Sequence, residues 1–408
     1  VQGIVGLLMA SQLALFGLTL LPLLGGAELV ERDWRVLQLA VQRVLAGEPL
    51  YVPSSHGELT RFLYPPYGVW YFLPLALVSG AATYGVVVLA QLAAVAATVR
   101  LVGSRARPLL VGGLVGSAGL SFGLFVGQFA PSYLLAYALA AWLWQRDRPW
   151  AAGLVGGLVA LKPHFVWPLV WVAAFASPQV FGGLALCGVG LALASVPLGL
   201  GAWFDWIALA REHAAYASEE LIVAQNATLV GFLRGLVGAE ASQWAWRAAL
   251  PVGVLAAALG ARRQRGSPFT VVSLAVLLAV SLNPYVNTYD LVLLFLPAAV
   301  WAEQRDRVPA WAWSGVWVAL GLCWLWDLWV VWYSVLVGAG RVSVGSASGA
   351  LAYGWLLLWV GSSLAEEAPP TRATPATSST SPTSERSDQG SLNTTTPEAN
   401  TMATDSPV

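Results

Sequence analysis

Near-continuous apolar segments recur along this chain from residue 3 to residue 364, separated by short polar breaks. No other feature limits the fold so strongly. A single soluble core cannot take in so many unbroken apolar runs. Only 10% of the 408 residues are charged, against roughly 25% in an ordinary soluble domain. The pattern predicts an all-α, polytopic integral membrane protein. Candidate helices lie near 3–24, 67–80, 82–101, 109–126, 130–145, 150–161, 164–177, 180–200, 244–261, 268–282, 288–302, 309–332 and 350–364. A span takes roughly 20 apolar residues, and several of these are shorter. The pairs around Gly127 and Lys162 read as hairpins or broken helices, which persist at membrane depth only when packed in protein or facing water. Segment 67–80, opened by "YPPYG", reads as a half-helix that does not cross. The expected result is a bundle of about 12 transmembrane helices with both termini inside. Segment 3–24 lacks a basic start and a small-residue cleavage site, so it reads as the first of these helices rather than a signal peptide.

Arginine placement orients the bundle. Clusters at Arg100/Arg105/Arg107, Arg146/Arg148, Arg262/Arg263/Arg265 and Arg305/Arg307 belong on the cytoplasmic side. The breaks at 25–66, 127–132, 162–164, 201–226, 283–288 and 333–348 then fall on the external (periplasmic) face of a multi-pass cell-membrane protein. The unusual polar residues collect in these breaks. From Glu366 the chain turns to Ser, Thr, Pro and scattered charge, a composition that cannot offset its ordering entropy by burial. The expected division is a transmembrane domain over 1–364 and a disordered cytoplasmic tail over 365–408. Basic and acidic residues balance at 21 each, so no nucleic-acid partner is implied, while membrane lipids are. Cys187 and Cys323 each sit alone in an apolar run and read as buried, reduced thiols.

The first external loop, 25–66, is the richest in charge. Within it, Trp34, Leu37, Val41, Val44 and Leu45 recur at helical spacing with Arg35, Gln38, Gln42 and Arg43 on the other side. That is an amphipathic helix suited to the membrane interface, stopped by Gly47 and Pro49. Asp33 stands just ahead of it, either as an N-cap or as a base held ionised at the membrane surface by its arginine neighbours. Further along, "GLVALKPHFVWP" (157–168) holds the sole lysine of a chain with twenty arginines. Lys162 either snorkels to the interface or serves as a functional point charge. Asp327 in "CWLWDLWVVW" is an intramembrane carboxylate and so also a functional candidate.

An ordered set of strings resembles the GT-C superfamily of polyprenyl-phosphate-dependent glycosyltransferases, and most closely glycosyltransferase family 87 (DUF2029), with its bacterial lipid mannosyltransferases and arabinofuranosyltransferases. The strings are "RDW" (32–34), "GEPLY" (47–51), "FLYPP" (62–66), "GQFAPSYLLAYALA" (127–140), "GLVALKPHFVWPLV" (157–170), "QNATLVGFLRGL" (225–236) and "SLNPYVNTYDLVLLFLP" (281–297). Two positions depart from the pattern: Asn283 where serine is common, and Tyr285 where relatives often carry histidine.

The resemblance implies an inverting transfer of a mannose- or arabinofuranose-class sugar from a polyprenyl-phosphate donor to a lipid or glycan acceptor. Such chemistry needs a base for the acceptor hydroxyl and cations for the departing phosphate. It points to Asp33 as the catalytic base and to Lys162 and Arg32 at the donor phosphate. Tyr64, Gln128, His164, Asn226, Tyr285 and Tyr289 are the expected substrate-binding groups, although each of the polar ones also suits a broken-helix backbone. Asp290, after Tyr289, suits a helix cap equally well. No Gly-rich phosphate loop, Asp-x-Asp pair or His/Cys metal pattern stands out, so neither cofactor nor metal is expected. A multispanning transporter or lipid flippase is the alternative reading, since it too uses charges and broken helices at depth. The charged first loop and the one-sided placement of polar residues favour surface chemistry.

Overall fold

A computed structural model describes residues 32–51, 62–78, 81–115, 117–216, 226–304, 306 and 348–365. The expected helices 3–24 and 309–332, with Asp327, and the tail from 366 lie outside these. Among the described residues every regular element is helical, and the sole extended pairing is an isolated bridge between Asn226 and Asn287.

Helix α1 (Arg32–Leu45) turns Trp34, Leu37, Ala40 and Val41 inward and leaves Arg35, Leu39 and Gln42 outward. It starts at Arg32, so Asp33 lies in its first turn rather than ahead of it, a position where the helix dipole also favours a carboxylate. Gly47, at φ +75, ends the helix in a left-handed turn, with the Glu48 N–H donating to Arg43 O at 2.9 Å. The half-helix expected at 67–80 is α2 (Gly68–Tyr71) followed by a 3₁₀ turn, Leu73–Leu77. The buried Gln38 amide of α1 donates to Leu75 O and Val78 O at the end of that turn. These bonds to carbonyls at the end of the turn pin α1 to the half-helix.

The chain continues as α3 (Ala81–Leu101), α4 (Arg107–Val115) and α5 (Ala118–Val126). The expected single helix 109–126 is divided because Ser117 caps α5, its hydroxyl accepting from Leu120 N at 3.1 Å. Next come α6 (Ala130–Gln145), α7 (Pro149–Gly157) with a 3₁₀ extension Leu158–Leu161, α8 (Pro163–Ala176) and α9 (Pro178–Ala194). Helices α7 and α9 approach backbone to backbone: a Cβ on Gly153 would meet Gly183 Cα at 2.7 Å. This is the small-residue contact used between membrane helices.

One helix corrects the first part of the expected external loop at 201–226. After the turn Val196–Leu198, α10 (Gly199–Tyr216) carries on the apolar run, and beyond Asn226 comes α11 (Leu229–Val237). Pro197 sits at the start of a 3₁₀ turn, where a missing N–H costs nothing, so it bends the chain instead of ending helicity. Then follow α12 (Ala239–Arg263), α13 (Pro268–Leu282), the 3₁₀ segment Thr288–Leu294 running into α14 (Phe295–Glu303), and α15 (Ser348–Ala365).

Helix α13 is the axis of the bundle. Every residue from Thr270 to Leu282 is buried, and α6, α8, α12, α14 and α15 pack around it. An apolar surface on all sides requires such complete cover. Among the described residues three helices are long and apolar enough to cross a membrane, over Ala82–Leu101, Pro178–Glu212 and Ala239–Arg263, and three shorter apolar ones lie at Pro149–Leu161, Pro163–Ala176 and Pro268–Leu282.

Candidate active site

Three breaks in the helical run converge on one place, and local chemistry explains each. At the first, Gly127 takes φ +80 and the N–H groups of Gly127 and Gln128 bond back to Leu124 O and Gly123 O at 3.2 and 2.7 Å. This is a Schellman closure, and it ejects Gln128 from the helix axis. A side chain at 127 would also meet Trp34 Cβ at 3.1 Å, so the glycine admits α1 against the break.

At the second break, Lys162 is held extended at φ −110, ψ 97 between the 3₁₀ turn and α8. Proline after it disfavours the helical conformation for Lys162, while Pro163 itself is well suited to start the next helix. The Lys-Pro pair therefore makes a gap in the helix with a cation in it.

At the third, Asn287 and Asp290 form a reciprocal capping box: Thr288 N donates to Asn287 Oδ1 at 2.8 Å and Asn287 N to Asp290 Oδ2 at 3.2 Å. The other carboxylate oxygen, Asp290 Oδ1, accepts from Lys162 Nζ at 2.8 Å. The lysine and aspartate side chains are only 11% and 2% exposed. Around the ammonium stand Tyr289, Phe165 and Tyr133, with ring centroids 4.8, 5.4 and 5.7 Å from Nζ. Asp290 is thus both a cap and the counter-ion of the sole lysine. Sequence reading set the cap beside a functional role but did not foresee the pairing with Lys162.

The loop carrying Tyr285 is clamped from across the chain. Asn226 Oδ1 accepts from Thr228 N and Val286 N, both at 3.3 Å, and its Nδ2 donates to Pro284 O at 2.9 Å. Ala227 N donates to Val286 O at 2.8 Å. The Asn226 amide is therefore spent on backbone at both ends. Tyr285 in turn accepts from Asn287 Nδ2 at 3.1 Å. Asn283, the other departure from the family pattern, is fully buried and accepts the Trp167 indole N–H at 2.7 Å.

A cavity of about 670 Å³ lies where these breaks meet, within the usual range for small-molecule sites. Tyr64, Gln128, Lys162, His164, Asn226, Tyr285 and Tyr289 all line it, and so does Asp290. Tyr51 braces the first wall, its hydroxyl donating to Tyr64 O at 2.7 Å; burial pushes this phenol well above its ordinary pKa and keeps it a donor. Val36 and Leu37 of α1 line the same cavity. The side chains of Arg32 and Asp33, on the same helix, lie outside the described residues.

Sequence reading missed three further lining residues, Trp206 on α10, Arg234 on α11 and Gln243 on α12. Arg234 stands inside the matched "QNATLVGFLRGL" string, where the helical spacing of Val230 and Arg234 was the available signal. Among the described residues no three His, Cys, Asp or Glu side chains gather as a metal site.

The family model of glycosyltransferase family 87 matches residues 62–284, more than half of the chain. No curated protein and no solved structure matches the chain.

Proposed function

The chain belongs to glycosyltransferase family 87, a membrane glycosyltransferase, and from that premise we propose an inverting transfer from a polyprenyl-phosphate-linked sugar. The sugar is of the mannose or arabinofuranose class, and the acceptor is a lipid or glycan on the external face of a multi-pass cell-membrane protein. The observation that carries this reading is the cavity in which a caged cation, His164, Gln128, Tyr64, Tyr285 and Tyr289 meet.

Asp33 takes the proton of the acceptor hydroxyl as its oxygen attacks the anomeric carbon. The new C–O bond forms on the face opposite the bond to phosphate, which breaks with its electron pair going to the phosphate oxygen. One displacement from the opposite face inverts the anomeric centre. Lys162, with an N–H given to Asp290, retains two ammonium donors for the phosphate, and Arg32 is assigned to the same group. Helical register supports the placement of Asp33: it precedes Val36 and Leu37, both cavity-lining, by three and four residues. The external location follows from the arginine clusters, which put the breaks at 127–132, 162–164 and 283–288 on that face.

The test is sugar transfer from radiolabelled polyprenyl-phosphate-mannose by membranes containing the wild-type protein or Asp33→Asn, with polyprenyl-phosphate-arabinofuranose as the second donor. One of the two donors is expected to serve the wild type, and Asp33→Asn to lose about 10²- to 10⁴-fold in rate. Transfer at the wild-type rate by Asp33→Asn would remove that residue as the base. Turnover of neither donor by the wild type would overturn the donor assignment.

A further inference from the structure

We infer that Arg234 is a further ligand of the donor phosphate, beside Lys162 and Arg32 and in the same cavity as Lys162; this rests on the polyprenyl-phosphate reading above.

Among the described residues, Lys162 alone leaves little net positive charge for a phosphate. A phosphate monoester carries about −1.5 to −2 charge at neutral pH, and that charge appears fully as the sugar departs. Lys162 brings one positive charge, but Asp290 at 2.8 Å offsets it. The Lys162–Asp290 pair is close to neutral as a unit, so by itself it stabilises a dianion poorly. Among the described residues, Arg234 is the other cation lining the same cavity. Its guanidinium has five donors in a planar fork that matches phosphate oxygens in pairs, so it serves a phosphate together with any protein partner.

Arg234 is also well placed and well held. Val230, Gly231 and Arg234 line the cavity together, spaced as one face of a helix. The start of α11 is fixed by Thr228, whose hydroxyl accepts from Gly231 N at 3.2 Å. Gly231 lies against Asn226, where a Cβ would approach the Asn226 side chain at 2.9 Å. Asn226 is in turn bonded to the loop that leads to Asp290. The two cations thus stand on segments tied by one hydrogen-bonded clamp.

The experiment uses the full chain in membranes or nanodiscs, with polyprenyl monophosphate as an inhibitor of sugar transfer and unphosphorylated polyprenol as the control. Arg234→Gln is expected to raise the Ki of polyprenyl monophosphate and the KM of the donor together by about 10- to 100-fold, while inhibition by polyprenol stays as in wild type. Arg234→Lys keeps the charge without the fork and should show a smaller rise in the same Ki. Arg146→Gln, which removes an arginine that does not line the cavity, should leave both constants unchanged. An unaltered Ki in Arg234→Gln overturns the inference, and an unaltered Ki in Arg234→Lys does so if the glutamine variant fails to fold. A wild type that is not inhibited by polyprenyl monophosphate would instead overturn the donor reading, while inhibition equal in wild type and variants removes Arg234 alone.

Discussion

Replacing Lys162 by methionine keeps most of the side-chain volume and leaves Asp290 without its counter-ion. That carboxylate is 2% exposed and meets the ammonium at 2.8 Å. Removing one member of a buried pair costs about 3–5 kcal/mol, since the remaining charge stays desolvated. At about 2 °C per kcal/mol, the lower end for sizeable chains, the melting temperature should fall by roughly 6–10 °C. The reverse change, Asp290→Asn, is milder. The new amide oxygen still accepts from Asn287 N, and Lys162 keeps its aromatic cage and the cavity, so the cost is about 1–3 kcal/mol. The double variant removes both charges and should recover most of the loss in Lys162→Met, a coupling well above about 1 kcal/mol. Tryptophan-fluorescence melts of the four proteins in one detergent read this directly. Sugar transfer should stay low in the double variant, separating the charge needed for chemistry from that needed for folding. A melting temperature for Lys162→Met within about 1 °C of wild type would refute the argument, as would strict additivity in the double variant.

Two other perturbations test how the cavity is built. Gly127→Ala places a Cβ at φ +80 and against Trp34, so a loss of about 1–3 kcal/mol is expected, read as a lower melting temperature; an unchanged melt would mean that α1 does not rest on this turn. Asn226→Leu deletes three hydrogen bonds to Thr228, Val286 and Pro284 and leaves buried backbone groups unmet, at about 1–3 kcal/mol. Hydrogen exchange should rise at the amides of Ala227 and Val286, and protection equal to wild type would show that the clamp is dispensable.

Much of the site could be read in advance because it depends on local backbone rules. Gly127 followed by Gln128, and Lys162 followed by Pro163, break a helix through the dihedral limits of glycine and proline whatever surrounds them. Such breaks within apolar runs mark places where polar groups gather. The helix starting near Asp33 was readable from its amphipathic spacing, to within two residues at its start. Residues 201–216 were misread because the charges at Arg211 and Glu212 resemble a loop, while packing of Trp203 and Trp206 at a ring distance of 5.8 Å favours a helix. The boundary at Ser117 was hidden within an apolar stretch that periodicity alone cannot divide.

The sequence alone therefore determined the helical, membrane-embedded class, the breaks at Gly127, Lys162 and 283–288 and the residues standing in them, since hydropathy and local dihedral preferences act over a few residues. Only the tertiary structure decided which breaks meet. Lys162 and Asp290 are 128 residues apart, and their ion pair forms only once the bundle has packed. Asn226 reaches Pro284 over 58 residues, and Arg234 lines the cavity beside residues from distant parts of the chain. Pairings of this kind arise from the packing of whole helices around α13, and no periodicity within a single segment encodes them.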